Sequence, residues 1–455
     1  MSRSPHSRIP ALLVATVVAA ASLVAMAPSA SAAKTQLKAK WGTSIDVSRG
    51  QFSRAGIVDV AARSDRGAYV VGQVGGIGQF GSETVRGPGI VGVNQFLARL
   101  DSKGKWLWAI TTAGGQNFNQ SVATAPDGGA YVCSITWADL QGDPLPAAYA
   151  FIAKYSAGGV EEWISVASAS KFGGCSDMAV APDGSVYVTG DDWYPATGPY
   201  TGTALVAKIG DDGAWQWFHR MGGSRAQGHG IAVLPDGRIA TTGLFKVEGT
   251  FGSRTLTDES TDGSPSPGAV FYGNSYVAIL NADTGDIESV DQISSPNLVW
   301  ASAIATTRSG GIAVTGSYRE EMAVGNRTAG APTSSDSRGF IAYRTGAGSW
   351  AWIETNGEVN GGGALRDVVE TGDGRLVAGG DFGIDKNGFI ALSSAGQVLK
   401  KAVWNKGEGD ISALSATRGS GFIAAGTLYG DWQLSKKVRI PDSGDAGTGF
   451  VARFK

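Results

Sequence analysis

Histidine and cysteine are nearly missing from this chain of 455 residues, which holds three of the first and two of the second. One histidine, His6, lies in the N-terminal leader, so His219 and His229 are too few for a histidine-rich zinc centre. Charge is scarce as well. Charged residues are 17% of the chain, 38 basic against 40 acidic, which leaves no electrostatic case for nucleic acid or an anionic membrane as partner. Long apolar runs are absent beyond residues 11–26, which follow Arg3 and Arg8 and precede "SASAA". That run falls short of the roughly 20 residues of a membrane span and reads as a secretory signal over residues 1–32, cleaved after Ala32 or Ala33. No GxSxG elbow, HExxH, P-loop or EF-hand run is present, so no cofactor or metal is expected. Glu161–Glu162 and Glu320–Glu321 are adjacent pairs that point to opposite faces of an extended chain, poor geometry for cleaving a glycoside.

What the chain does have is glycine, 68 of them, and one phrase written repeatedly. "APDGSVYVTG" at Ala181 has near-copies at Ala125 ("APDGGAYVCS"), Leu234 ("LPDGRIATTG") and Thr371 ("TGDGRLVAGG"). Looser versions start at Ser64, Arg308 and Arg418. Alternating β-branched and aromatic residues on either side of an Asp-Gly turn predict a hairpin. A further strand recurs independently as "FLARL" at Phe96, "FIAKY" at Phe151, "LVAKI" at Leu205, "YVAIL" at Tyr276, "FIAYR" at Phe340, "FIALS" at Phe389 and "FVARF" at Phe450. Seven second strands therefore match seven third strands, at a spacing of roughly 60 residues, which predicts an all-β, seven-bladed β-propeller of four-stranded blades over residues 33–455. No residue is left for a fourth strand after "FVARFK", while "KWGTSID" at Lys40 precedes the first unit. The N-terminal strand is expected to complete the last blade and close the ring.

First strands alternate large and small. One position reads Val60, Val122, Met178, Ile231, Ile304, Val368, Leu414, and the next Ala61, Ala123, Ala179, Ala232, Ala305, Val369, Ser415. Neighbouring residues of a strand face opposite sides, so a large residue of one unit is expected to fill the space beside a small one of the next. The units, best seen from Phe96 to Gly190, resemble the secreted bacterial β-propeller repeat related to NHL and YVTN-like repeats, with the pattern "FxAKxxxxGxxxW…GG…xxVAxxPDGxxYVTG". The resemblance covers nearly the whole mature chain and implies a propeller outside the cytoplasm. It implies no activity, because the repeat describes a scaffold.

Connections between second and third strands are long at 75–94, 246–275, 319–338 and 428–448, and several carry an "FGSETV"- or "FGSRTL"-like element that suggests an extra hairpin. Insertions gathered on one face mark a binding face. There the starts of the first strands offer Asp59, Gln120, Ser176, Asp177, His229, Ser302, Arg366, Asp367 and Ser412. Asp59, Gln120, Asp177, His229, Arg366 and Asp367 are the candidate ligand-binding residues. No catalytic or metal-binding residue is assigned. Most tryptophans fall in fourth strands as core, whereas Trp137, Trp193 and Trp432 are candidates for sugar contact. Cys133 and Cys175, an even pair in an exported chain, are expected to form a disulfide between adjacent units. The expected function is a secreted, monomeric, non-catalytic propeller that binds an extracellular glycan, protein or cell-surface component. The alternative is a glycan hydrolase or lyase with carboxylates from several blades, which a close cluster of channel acids with raised pKa would favour.

Overall fold

The computed structural model describes residues 37–47, 54–87, 94–112, 121–138, 144–167, 173–192, 202–260, 273–330, 336–357, 362–404, 409–441 and 447–455. The leader, residues 1–32, Gln120 and Trp193 lie outside the described residues, as does the side chain of Trp137. Among the described residues the fold is all-β and propeller-like: six four-stranded antiparallel sheets and a six-stranded one, with three small accessory sheets.

We number the main sheets one to seven by their inner strands: Arg54–Ala62, Ser121–Thr124, Gly174–Val180, Ala226–Val233, Leu298–Thr306, Ala364–Glu370 and Gly409–Ala416. Sheet three shows the plan, with strands Gly174–Val180, Val186–Asp191, Ala204–Ile209 and Trp215–Met221 in spatial order. Its Asp-Gly turn is held locally: Asp183 Oδ1 accepts the Ser185 amide at 2.9 Å, and Gly184 adopts φ 89°. The glycine ending "YVTG" has a different cause. A Cβ on Gly190 would lie 1.9 Å from the Gly174 carbonyl oxygen of the inner strand, and Gly72, Gly243, Gly316, Gly380 and Gly426 meet the same obstacle at 1.9–2.2 Å. The repeated glycine thus records a close approach of two strands.

The large first-strand residues Val60, Val122, Met178, Ile231, Ile304, Val368 and Leu414 are all buried, as the alternation predicts. At the outer edge the tryptophans tie neighbouring sheets. Trp108 of sheet one donates its indole N–H to Ala157 O in a turn of sheet two, Trp163 to Asp211 O, Trp217 to Ala282 O and Trp352 to Ser394 O, at 3.0–3.3 Å. Each of these turns carries a glycine (Gly159, Gly213, Gly285, Gly396) whose missing side chain makes room for the ring.

Sheet seven is completed from the other end of the chain. Ala39–Ser44 pairs antiparallel with Thr448–Phe454, in register from Trp41↔Arg453 to Ser44↔Phe450. Trp41 then repeats the outer tie, donating to Ser102 O of sheet one at 2.9 Å over Gly104. On the inner side Ser412 Oγ donates to Ile57 O at 2.7 Å and Ser415 Oγ accepts the Ala62 amide at 2.9 Å, so sheet seven also bonds sheet one.

Four long loops fold into hairpins, at Ile77–Phe80/Glu83–Arg86, Glu248–Phe251/Arg254–Thr257, Met322–Val324/Arg327–Ala329 and Trp432–Ser435/Val438–Ile440. Each grips the outer strand of the preceding sheet or the chain just after it. The first pairs with Asp46–Val47, the second accepts the Gly222 amide at Thr250 O (2.8 Å), and the third pairs Val324 with Ile293. The fourth stacks Trp432 on Trp404 of sheet six, ring centroids 6.2 Å apart. Trp432 is only 1% exposed, which corrects its expected role in sugar contact: its ring is spent on packing between sheets.

Candidate functional site

Inner strands carry the candidate residues on a recurrent distortion. In six of the sheets the pairing between first and second strands slips by one residue, leaving Val58, Ser176, His229, Ser302, Arg366 and Ser412 as the extra residue of a β-bulge. A bulge re-aims the side chain it carries, which is why so many polar residues of the sequence align at this one position. The residue after the bulge is Asp59 in sheet one, Asp177 in sheet three and Asp367 in sheet six.

These three aspartates do the same thing. Asp59 Oδ1 accepts the amide of Val60 at 2.7 Å, and its Oδ2 accepts the amide of Val122 in sheet two at 2.8 Å. Asp177 accepts from Met178 at 2.8 Å and from Ile231 of sheet four at 2.9 Å. Asp367 accepts from Val368 at 2.7 Å and from Leu414 of sheet seven at 2.6 Å. Each carboxyl group therefore clasps its own strand and the inner strand of the next sheet, bonding the amide of the large buried residue.

Burial lifts the Asp59 carboxyl above the ordinary carboxylate range despite these donors. Burial and the charge of Asp59 push Asp177 to about 7, and burial with the charges of Asp59 and Asp177 raises Asp367 well above its usual value. Ser121 Oγ stands 2.8 Å from Asp59 Oδ2 and 3.2 Å from Asp177 Oδ1. The Ser121 hydroxyl has one proton to donate to two carboxyl groups, and protonation of Asp177 as the pH falls through about 7 supplies a second donor.

His229 also bonds across a junction. Its Nδ1 donates to Ala301 O of sheet five at 2.7 Å, and its ring stacks on Trp300 with centroids 4.5 Å apart. Burial lowers its pKa to about 4, so the imidazole stays neutral, with Nε2 unprotonated. Among the described candidates Arg366 alone is exposed, and its Nη2 meets Asp381 Oδ2 at 2.8 Å. Cys133 of sheet two and Cys175 of sheet three are disulfide-bonded, with Cα atoms 6.1 Å apart. Among the described residues no three His, Cys, Asp or Glu side chains converge in a way that would hold a metal ion.

The same end of the molecule carries a cleft of about 270 Å³ between sheets seven and one, of whose lining only Ser412 figured among the polar residues picked out in the sequence. Arg54, Gln73, Asp410, Thr427 and Tyr429 line it, along with the backbone from Ala55 to Val58. The Tyr429 ring is 53% exposed, although it is propped by Gly447, whose Cβ would meet it at 2.8 Å. Burial lifts the Asp410 carboxyl, against the pull of Arg366. The available signal was the aromatic in "TLYGDW", just beyond a second strand in a long loop.

No helix among the described residues is long and apolar enough to cross a membrane. No protein-family model matches the chain, and no curated protein is similar to it. Among solved structures, a protein of unknown function from Dyadobacter fermentans is similar at 9% identity and a TM-score of 0.41, over 92% of this chain and 99% of that one.

Proposed function

We propose that this protein is a secreted, non-catalytic β-propeller of seven four-stranded blades that binds an extracellular glycan or protein through its long-loop face. The ring reading is supported by the ties from sheet seven to sheet one, which repeat those between consecutive sheets: an outer tryptophan over a turn glycine and hydrogen bonds between inner strands. Secretion is supported by the leader sequence and the disulfide.

The observation that carries the binding role is the Tyr429 cleft. An exposed, propped aromatic ring beside a carboxyl, a guanidinium, an amide and a hydroxyl is the chemistry that stacks on a pyranose and bonds its hydroxyls. Among carbohydrate and protein ligands, this set favours a glycan. The interior acids support a second reading, a glycan hydrolase or lyase, because their pKa values are raised. Against it, both oxygens of Asp59, Asp177 and Asp367 are occupied by amides of the sheets. A glycan array with wild type and Tyr429→Ala tests the proposal: binding is expected, with loss of about tenfold or more in the variant from the missing stacking surface. Depolymerisation of any bound polysaccharide, abolished in Asp177→Asn, would replace it with the enzymatic reading.

A further inference from the structure

Position for position, the junctions between sheets provide their own comparison at the opposite, short-turn end. The third strand of sheets one, two and three bears a cation, Arg99, Lys154 and Lys208. Each is answered by acids of the turns: Arg99 by Asp65 at 3.1 Å, Lys154 by Asp127 at 3.0 Å and Asp211 at 2.8 Å, Lys208 by Asp283 at 3.7 Å. A tyrosine on the second strand, Tyr69, Tyr131 or Tyr187, stands directly opposite each cation in the register.

Sheet seven breaks the rule. Its cation is Arg453, opposite Ile423 in place of tyrosine. Its turn reads "RGSG" where those of sheets one, two and three carry Asp65, Asp127 and Asp183, so the acid is missing and Arg418 is present. The neighbouring turn of sheet one has a further anomaly. Gly128, Gly184, Gly237, Gly310 and Gly374 occupy the left-handed position of their turns, whereas sheet one places Arg66 there at φ 70°. Any side chain with a Cβ is strained in that conformation, and glycine serves at five equivalent turns. Lys40 and Lys455 complete a cavity of about 770 Å³ lined by five cations and no carboxylate side chain. The main-chain oxygen of Lys455 is held by the Lys38 amide. Among the described residues none of the five cationic side chains has an ion pair or hydrogen bond. Burial and the Arg66 charge depress the pKa of Arg453, with no acid to offset them.

We infer that this cavity is a second binding site, for a ligand carrying closely spaced tetrahedral oxyanions, phosphate or sulfate groups. Three guanidinium forks match such oxyanions with paired hydrogen bonds. Five cationic side chains with no acidic side chain among the lining call for more than one anionic group, and the cavity is larger than a single phosphate needs. The ligand chemistry has two sources, a small oligophosphate or the ester groups of a polymer.

The repeat supplies substitutions that other sheets already tolerate. Arg66→Gly restores the common turn residue, Arg418→Ser copies Ser64 of sheet one, and Arg453→Ala copies Ala391 of sheet six. Binding of tripolyphosphate and of dextran sulfate to the full chain is measured by calorimetry at low and physiological salt, with neutral dextran as control. The wild type is expected to bind at least one anion, more weakly as salt rises. Each substitution should lower affinity by about five- to tenfold, the effect of a lost charge-assisted bond, and the triple variant by about a hundredfold or more. The melting temperature of Arg66→Gly should stay level or rise. Binding of tripolyphosphate assigns the small source, and binding of dextran sulfate alone assigns the polymer. Absence of binding to either, or equal binding by wild type and the folded triple variant, overturns the inference.

Discussion

Replacing Asp177 by asparagine should change how stability depends on pH more than it changes stability at any one pH. In the folded protein the carboxyl group titrates near 7 because it is buried beside Asp59, whereas in the unfolded chain it titrates near 3.8. A raised carboxyl pKa means that the folded state holds the proton more tightly. Its contribution is fully present below about pH 4 and is lost as the pH climbs through 7. A difference of about three pKa steps at 1.36 kcal/mol each gives about 4 kcal/mol between those limits. Asparagine still offers an oxygen to the Ile231 or Met178 amide but cannot ionise, so a lost bond displaces its whole curve by a constant. His229 acts in the opposite sense, since its depressed pKa makes stability rise with pH from about 4 to 6.5, and it does so in both proteins. The readout is therefore the difference between the two urea-unfolding curves measured from pH 4 to pH 8. Wild type should lose about 4 kcal/mol relative to Asp177→Asn across that window and nothing further above it. A flat difference, or one that grows in favour of wild type with rising pH, would refute the shared-proton account of Asp59, Ser121 and Asp177.

Two further outcomes are expected. Replacing both Cys133 and Cys175 by alanine should cost about 4 kcal/mol by the chain-entropy relation for a 42-residue separation, and reductant should no longer alter the melting curve. An unreduced wild type that still alkylates at two thiols would contradict the bond. Truncation to Val47 should destabilise the domain by at least about 3 kcal/mol, the scale of one buried aromatic, because it removes Trp41 and bares the Thr448–Phe454 edge; an unchanged melting temperature would count against the role of this strand.

Features inside one sheet were readable in the sequence. Asp-Gly turns, strand alternation and the pairing of Ala39–Ser44 with the last strand all follow from local pattern or from counting, and so did the disulfide. The disulfide apart, features between sheets were not. Nothing in the run "IVDVAA" reveals a bulge at Val58 or that Asp59 bonds Val122 of the next sheet, because both depend on where a neighbouring backbone amide arrives. Trp432 looked like a free loop aromatic for the same reason: the Trp404 partner that buries it belongs to another sheet. Tyr429, three residues earlier, stayed exposed because no hairpin strand covers it. Two similar aromatics in one loop thus had opposite fates, decided by contacts that periodicity cannot express. The glycine of "YVTG" is an intermediate case, since its recurrence was plain while its cause, the carbonyl oxygen of the inner strand, became visible only in three dimensions.

The pairing of the first described strand with the last fixes an order of events in the life of the chain. Ala39–Ser44 emerges from synthesis long before its partner Thr448–Phe454. Until then the early strand has no hydrogen-bonding neighbour in its own sheet, and Trp41 rests on the apolar side chains and the Ser102 turn of sheet one. Contacts between chain ends are the slowest to form, and unpaired strands are prone to join the wrong partner. A nascent chain interrupted anywhere before Thr448 therefore carries two adhesive edges, and only the arrival of Thr448–Phe454 extinguishes both at once.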